Sequence, residues 1–218
     1  MISPHLATLI QAVKQVSPEL VANCSSFNIN GSIDYFEERS FAYELYRQWQ
    51  DLIENNDEDL VINAEVTKKC VDEHTFISKL EEIFDLTKEG KPHRCFYPDL
   101  VCHHSQFDSD NQEIICEIKT KKGIDDSKNT KLNHDLKKLA TYMTDMVLLY
   151  HPFKIGVFIL VGGVLNDIKN KYISNDWVKN KVNDIYCISY NIKKNDEGCP
   201  IPDVVCMSLN EILQLNDK

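Results

Sequence analysis

Asp99, Glu117 and Lys119 are the residues whose types and spacing point to chemistry: Pro98-Asp99 is followed, eighteen positions after the aspartate, by Glu117-Ile118-Lys119. A hard cation such as Mg²⁺ takes carboxylate and carbonyl oxygens and leaves positions for water and phosphate, so two carboxylates with a nearby lysine suit reactions at a phosphate. An acidic residue two before a lysine also occurs at Glu89-Gly90-Lys91, Asp126-Ser127-Lys128, Asp135-Leu136-Lys137 and Asp167-Ile168-Lys169. The triplet at 117–119 differs from these because it lies on an alternating apolar segment preceded by another apolar segment carrying Pro-Asp. The second Pro-Asp, Pro202-Asp203, has no such triplet after it.

Two strands must bring these residues together. In Glu113 to Lys119 the alternation sends Ile114, Cys116 and Ile118 to one face and Ile115, Glu117 and Lys119 to the other. The Phe, Tyr, Leu and Val content of Arg94 to Cys102 predicts the partner strand, and the polar stretch His103 to Gln112 is long enough to turn the chain back antiparallel, which would set Asp99 near Glu117. Ahead of them, a helix over about 35–55 carries Phe41, Leu45, Trp49, Leu52 and Ile53 on its apolar stripe, with Glu44 on the border as a third acidic candidate or an ordinary helix glutamate. Leu60 to Val66 is predicted as the first strand of the sheet, with Glu65 turned to the site or to solvent, and Asp72 to Leu86 as a helix.

Pro98-Asp99 with Glu117-Ile118-Lys119 resembles the motif of the PD-(D/E)XK nuclease superfamily, the restriction-endonuclease-like fold. The resemblance implies an α/β fold with an αβββαβ core and a central mixed sheet flanked by helices, to which the helical spacing of Leu6, Ile10, Val13 and Val16 and the final helix add an element at either end. It covers roughly 34–163 of one domain spanning 1–218. It also implies a metal-dependent nuclease that hydrolyses phosphodiester bonds in DNA. Asp99 and Glu117 would bind Mg²⁺ or Mn²⁺ together with the carbonyl of Ile118, Glu44 would hold a second ion or a metal-bound water, and Lys119 would orient or deprotonate the attacking water. Neighbouring carboxylates favour a charged lysine, so orientation is the preferred role.

Downstream, Leu132, Leu136, Leu139, Met143 and Met146 mark a helix whose other flank places Lys138 and Tyr142 side by side on the surface. That pair is similar to the Gln-xxx-Tyr motif of RecB-like members, with Lys138 where glutamine is usual. It reads either as a phosphate contact or as a solvated helix pair. Ile155 to Val161 is apolar without alternation, as in a central strand covered on both faces. A helix over 167–182, a strand over 185–192, a short edge strand over 202–207 and a final helix opened by the capping box Ser208-Leu209-Asn210-Glu211 complete the chain.

With 218 residues, 43% hydrophobic and 27% charged, the chain can bury a core without disulfides or structural metal. Its start lacks a basic and apolar leader, and the longest apolar run is too short to span a bilayer, so a cytoplasmic protein without membrane partners is expected. The eight cysteines show no CxxC spacing and read as reduced thiols. A net charge of −10 argues against coating nucleic acid with the whole surface. Between Lys119 and Lys138, however, seven lysines face three aspartates, a local +4 that leaves −14 on the rest. Lys121 and Lys122 in that cluster are candidate nucleic-acid contacts, the other reading being a solvated lysine loop. A homodimer would place two sites on opposite strands of a duplex.

Two further classes compete. One is a catalytically inactive nuclease-fold protein acting as a nucleic-acid-binding or protein-interaction module. The other takes His93, Cys95, Cys102, His103 and His104 as zinc ligands, although H-x-C-x6-C-H-H is not a closed tetrahedral pattern. Neither a Walker loop nor GxGxxG is present, so nucleotide hydrolysis and dinucleotide redox chemistry have no support.

Overall fold

A computed structural model describes residues 2–21, 37–55, 59–64, 98–104, 112–126, 130–144 and 152–215. The helix expected over 72–86, the first part of the strand expected from Arg94, and Glu65 lie outside them.

Helix α1 (Pro4–Gln15) starts on proline, whose missing N–H is one that a helix start leaves unbonded anyway. It buries Leu6, Leu9, Ala12 and Val13, and a four-residue α2 (Pro18–Val21) follows the break at Ser17-Pro18. Helix α3 (Glu38–Glu54) buries Phe41, Leu45, Trp49 and Ile53, each four residues after the last and therefore on one stripe. Strands β1 (Leu60–Ala64), β2 (Leu100–His104) and β3 (Gln112–Thr120) then form an antiparallel meander. Asp99 immediately precedes β2, and His103 and His104 extend that strand into what the sequence predicts as a turn.

Among the described residues two helices separate β3 from the next strand: α4 (Lys121–Asp125), capped by the Thr120 hydroxyl accepting from Gly123 N at 3.1 Å, and α5 (Thr130–Tyr142). Strand β4 (Ile155–Val161) pairs in parallel with β3. The helical stretch expected over 167–182 is two pieces, α6 (Leu165–Lys171) and α7 (Asp176–Lys179). Tyr172 takes an extended conformation between them, Asn133 Oδ1 accepts from Ile173 N at 2.6 Å, and Asn175 caps α7 through Val178 N. Strand β5 (Ile185–Lys194) runs parallel to β4, and β6 (Pro200–Ser208) closes the far edge antiparallel to β5. β6 is longer than the short edge strand expected, because its pairing follows β5 from Tyr186 to Lys194. Helix α8 (Leu209–Leu213) opens on the expected capping box, with Ser208 Oγ accepting from Glu211 N and Glu211 Oε2 accepting from Ser208 N.

The sheet therefore runs β1-β2-β3-β4-β5-β6, mixed and open, with helices on both faces. On one face Ile114, Cys116 and Ile118 of β3 join Val157 and Ile159 of β4 under α1 and α3. On the other, Val101, Ile115, Phe158 and Leu160 pack against Leu132, Leu136 and Leu139 of α5 and against α6, α7 and α8. β4 is covered on both sides, as its unbroken apolar run predicts. The Tyr190 hydroxyl reaches through the first core to donate to Val16 O at 3.0 Å, tying β5 to the end of α1. Cys102, Cys116 and Cys187 are free thiols within the strands, packed as small hydrophobes. Among the described residues no helix is long and apolar enough to cross a membrane.

Candidate functional site

The meander brings Asp99 and Glu117 to neighbouring strands. Asp99 N donates to Cys116 O at 3.1 Å, and Asp99 Oδ2 accepts from Ile118 N at 2.7 Å, so its backbone and side chain both clasp β3 around Glu117. Asp99 Oδ1 takes no hydrogen bond from a described residue. Strand alternation points Glu117 and Lys119 to the α5 face, as the sequence predicts, and Glu117 is completely buried there.

Helix α5 supplies two more charged groups. Lys138 Nζ lies 2.7 Å from Glu117 Oε1 and 3.8 Å from Asp135 Oδ1. Lys119 Nζ lies 3.8 Å from Asp99 Oδ2, 3.8 Å from Asp135 Oδ2 and 3.3 Å from Glu38 Oε1 at the start of α3, and it donates to Ile118 O at 2.8 Å. Four carboxyl groups thus surround two ammonium groups, an excess of two negative charges when all are ionised.

Burial sets the electrostatics. Desolvation pushes the Glu117 carboxyl well above the usual carboxylate range; Lys138 opposes the shift and Asp99 adds to it. Asp135 is raised as well, by burial first, against the pull of Lys119 and Lys138. Desolvation alone would lower Lys119, but Asp135, Asp99, Glu38 and Glu117 outweigh it and hold the ammonium charged more firmly than an ordinary lysine. A charged Lys119 can orient a water or neutralise a phosphoryl oxygen; it cannot accept a proton.

Asp99, Glu117 and Asp135 do not form a group of three ligand atoms close enough to hold a metal ion as they stand; the donors a hard cation would draw on here are the two strand carboxylates and the Ile118 carbonyl. Glu117 Oε2 and Asp135 Oδ2 are buried without a hydrogen-bond donor among the described residues, whereas Glu117 Oε1 has the Lys138 ammonium at 2.7 Å. A dication would supply the missing partner and cancel the charge excess. The Ile118 carbonyl, expected as a ligand, holds Lys119 with one of its two lone pairs, which leaves the other.

The remaining predicted positions fall elsewhere. Glu44 accepts from Arg47 Nη2 at 2.8 Å and Gln48 Nε2 at 2.7 Å on its own helix. Its helix packs on the sheet face opposite Glu117, and only the start of α3 comes round to Lys119, so Glu38 occupies the place expected of Glu44. Lys138 and Tyr142 do not form a surface pair. Both are buried, since α5 lies flat on the sheet and its covered stripe is wider than its leucines suggest. Lys121, 3.3 Å from Asp167, and Lys122 are exposed on α4, a short helix rather than a loop. Burial of Lys119 and Lys138 reduces the basic surface anticipated from the lysine cluster, of which Lys128 lies outside the described residues.

Asp135 and Glu38 complete the site without having been singled out in the sequence. Asp135 carried a legible signal, three residues before Lys138 and one turn before Leu139 on the apolar flank.

The zinc grouping is not assembled as expected. Cys102 is buried in the core under α1, His103 Nε2 contacts Asn63 Nδ2 at 2.6 Å, and His93 and Cys95 lie outside the described residues. His104 instead lies with His5 and Glu113, a group that could hold a metal ion.

No protein-family model matches the chain, and no curated protein and no solved structure matches it.

Proposed function

We propose that this chain is a metal-dependent nuclease of the PD-(D/E)XK type that hydrolyses phosphodiester bonds, with DNA as the substrate. One observation carries the reading: Asp99, Glu117 and Lys119, separated along the chain, meet with Asp135 where carboxylates outnumber ammonium groups and where Glu117 Oε2 and Asp135 Oδ2 lack donors among the described residues. Among the described residues the order α3-β1-β2-β3-α4-α5-β4, with β4 parallel to β3, is in keeping with the αβββαβ arrangement that the motif implies once the short α4 is set aside.

Asp99 Oδ1 and the Glu117 carboxylate would hold Mg²⁺ or Mn²⁺. Bound there, the ion would polarise the phosphoryl oxygens and acidify a water. Lys119, kept charged by its carboxylate neighbours, orients the attacking water and offsets charge growing on the phosphate. Glu38 and Asp135 position the Lys119 ammonium. Lys121 and Lys122, exposed one step past β3, face the duplex backbone in this reading.

Lys138 favours a second reading. An ammonium group already 2.7 Å from Glu117 can replace a cation, which suits an inactive nuclease-fold protein that binds nucleic acid or another protein. Incubation of the purified chain with labelled linear, circular and single-stranded DNA in Mg²⁺, Mn²⁺ or EDTA, beside Asp99→Ala and Lys119→Ala, separates the two. Metal-dependent cutting lost in both variants is expected. A folded wild type that cuts none of these DNAs, nor RNA, supports the binding module.

A further inference from the structure

We propose that His5, His104 and Glu113 form a second metal site, separate from the carboxylate–lysine cluster, that takes a first-row transition dication such as Zn²⁺ and clamps the start of α1 to β2 and β3. This goes beyond the nuclease reading and does not depend on it.

The site follows from an irregularity in the sheet. Cys102 pairs with Ile114 but His103 pairs with Gln112, so Glu113 is an extra residue with no partner on β2. Strict alternation from Ile115 would send Glu113 toward α5. A bulge re-aims the side chain it carries, and here the Glu113 carboxylate meets residues of α1 and the end of β2. Glu113 Oε1 is 3.6 Å from His104 Nε2, and Oε2 is 3.9 Å from His5 Nε2. The two imidazoles stand edge to face with centroids 6.4 Å apart, and the three ligand atoms lie within 4.8 Å of one another.

Donor type selects the metal. Two imidazole nitrogens and one carboxylate oxygen suit Zn²⁺ and its neighbours, whereas Mg²⁺ prefers oxygen throughout. Zinc bonds of about 2.1 Å in a tetrahedron set ligand atoms roughly 3.4 Å apart, so the 3.6 and 3.9 Å imidazole–carboxylate separations stand near that value and the widest pair, within 4.8 Å, closes further on binding. The carboxylate is 7% exposed and the imidazoles 26% and 23%, which fixes the acid while leaving an approach from solvent and a fourth position for water. Lys154 Nζ, 2.6 Å from Glu113 Oε1, is the competing cation. Its side chain is 53% exposed and can hold Oε1 or swing into solvent, leaving Oε2, the oxygen nearer His5, to the metal.

The full chain, stripped with EDTA and exchanged into chelator-free buffer, would be titrated with Zn²⁺ against a chromophoric chelator, with Co²⁺ absorption as a second readout. One saturable Zn²⁺ per chain and a raised Tm are expected. Binding should weaken about 100-fold or more in His5→Gln and in His104→Ala, because each removes a ligand. It should persist in Asp99→Asn, which alters the other cluster, and in Cys199→Ser/Cys206→Ser, which removes the two described thiols of β6 and its turn that are not fully buried. His5→Gln sits on the first helical turn and serves if His104→Ala fails to fold by circular dichroism. Absence of saturable binding in the wild type, survival of binding in folded His5→Gln, or its loss in the cysteine variant would each overturn the proposal.

Discussion

The Lys138 ammonium lies 2.7 Å from the Glu117 carboxylate, joining helix α5 to strand β3 where both side chains are almost wholly removed from water. Such a pair adds little net stability, yet removing the lysine leaves a buried carboxyl, already pushed up by desolvation, without its nearest ammonium. Lys138→Met should therefore destabilise the fold by about 3 kcal/mol. Glu117→Met/Lys138→Met should recover most of that loss, since neither charge is then left alone. Urea denaturation midpoints, compared at equal m values, decide it; a double variant less stable than Lys138→Met would contradict the account.

Asp99 has two separable tasks. Its Oδ2 anchors Ile118 N, and in the nuclease reading its charge holds the cation. Asp99→Asn keeps an oxygen acceptor and should fold with nearly wild-type stability while losing Mg²⁺-dependent cleavage. Asp99→Ala should lose cleavage and also about 1 kcal/mol of stability with the hydrogen bond. Thermal melts with and without Mg²⁺, alongside the cleavage assay, test both halves.

Glu38 and Glu44 lie six positions apart on α3 and should behave differently. Glu38→Gln removes a carboxylate 3.3 Å from Lys119 and should lower cleavage several-fold, within the roughly 1 kcal/mol of a partly exposed ion pair. Glu44→Gln, which disturbs Arg47 and Gln48, should change stability more than cleavage. The opposite ranking of kcat would return Glu44 to the site.

Glu44 also gives a pH signature. The Arg47 hydrogen bond, against the opposing effect of burial, holds its carboxyl below the ordinary glutamate value of 4.5. A depressed folded-state value means that the unfolded chain binds the proton first. The stabilisation is thus complete above pH 4.5 and is lost as pH falls through the lower folded-state value. Wild type should lose stability more steeply than Glu44→Gln on acidification below about pH 5. Parallel acid limbs in urea titrations would refute the linkage.

Periodicity made much of this protein legible. The unalternating Ile155–Val161 run is the doubly covered β4, and alternation from Ile114 to Lys119 puts Glu117 and Lys119 on one face, as found. The local signal of Ser208 and Glu211 is a working capping box. These features depend on neighbours a few residues away, and the sequence displays those neighbours directly.

Other features depend on what another element covers. Lys138 looks like a surface lysine until α5 lies flat on β3 and Glu117 meets it. Glu44 is the α3 carboxylate the sequence singles out, and Glu38 takes that place only once α3 settles on the sheet face opposite Glu117, leaving its first turn near Lys119. Glu113 changes side because one residue of β3 has no partner in β2. The sequence by itself determined the elements, their apolar faces and the Asp99–Glu117–Lys119 motif, because side-chain direction repeats with a fixed local period. Tertiary structure alone decided which charges became neighbours, because helix placement and strand register are set by long-range packing that no local period records.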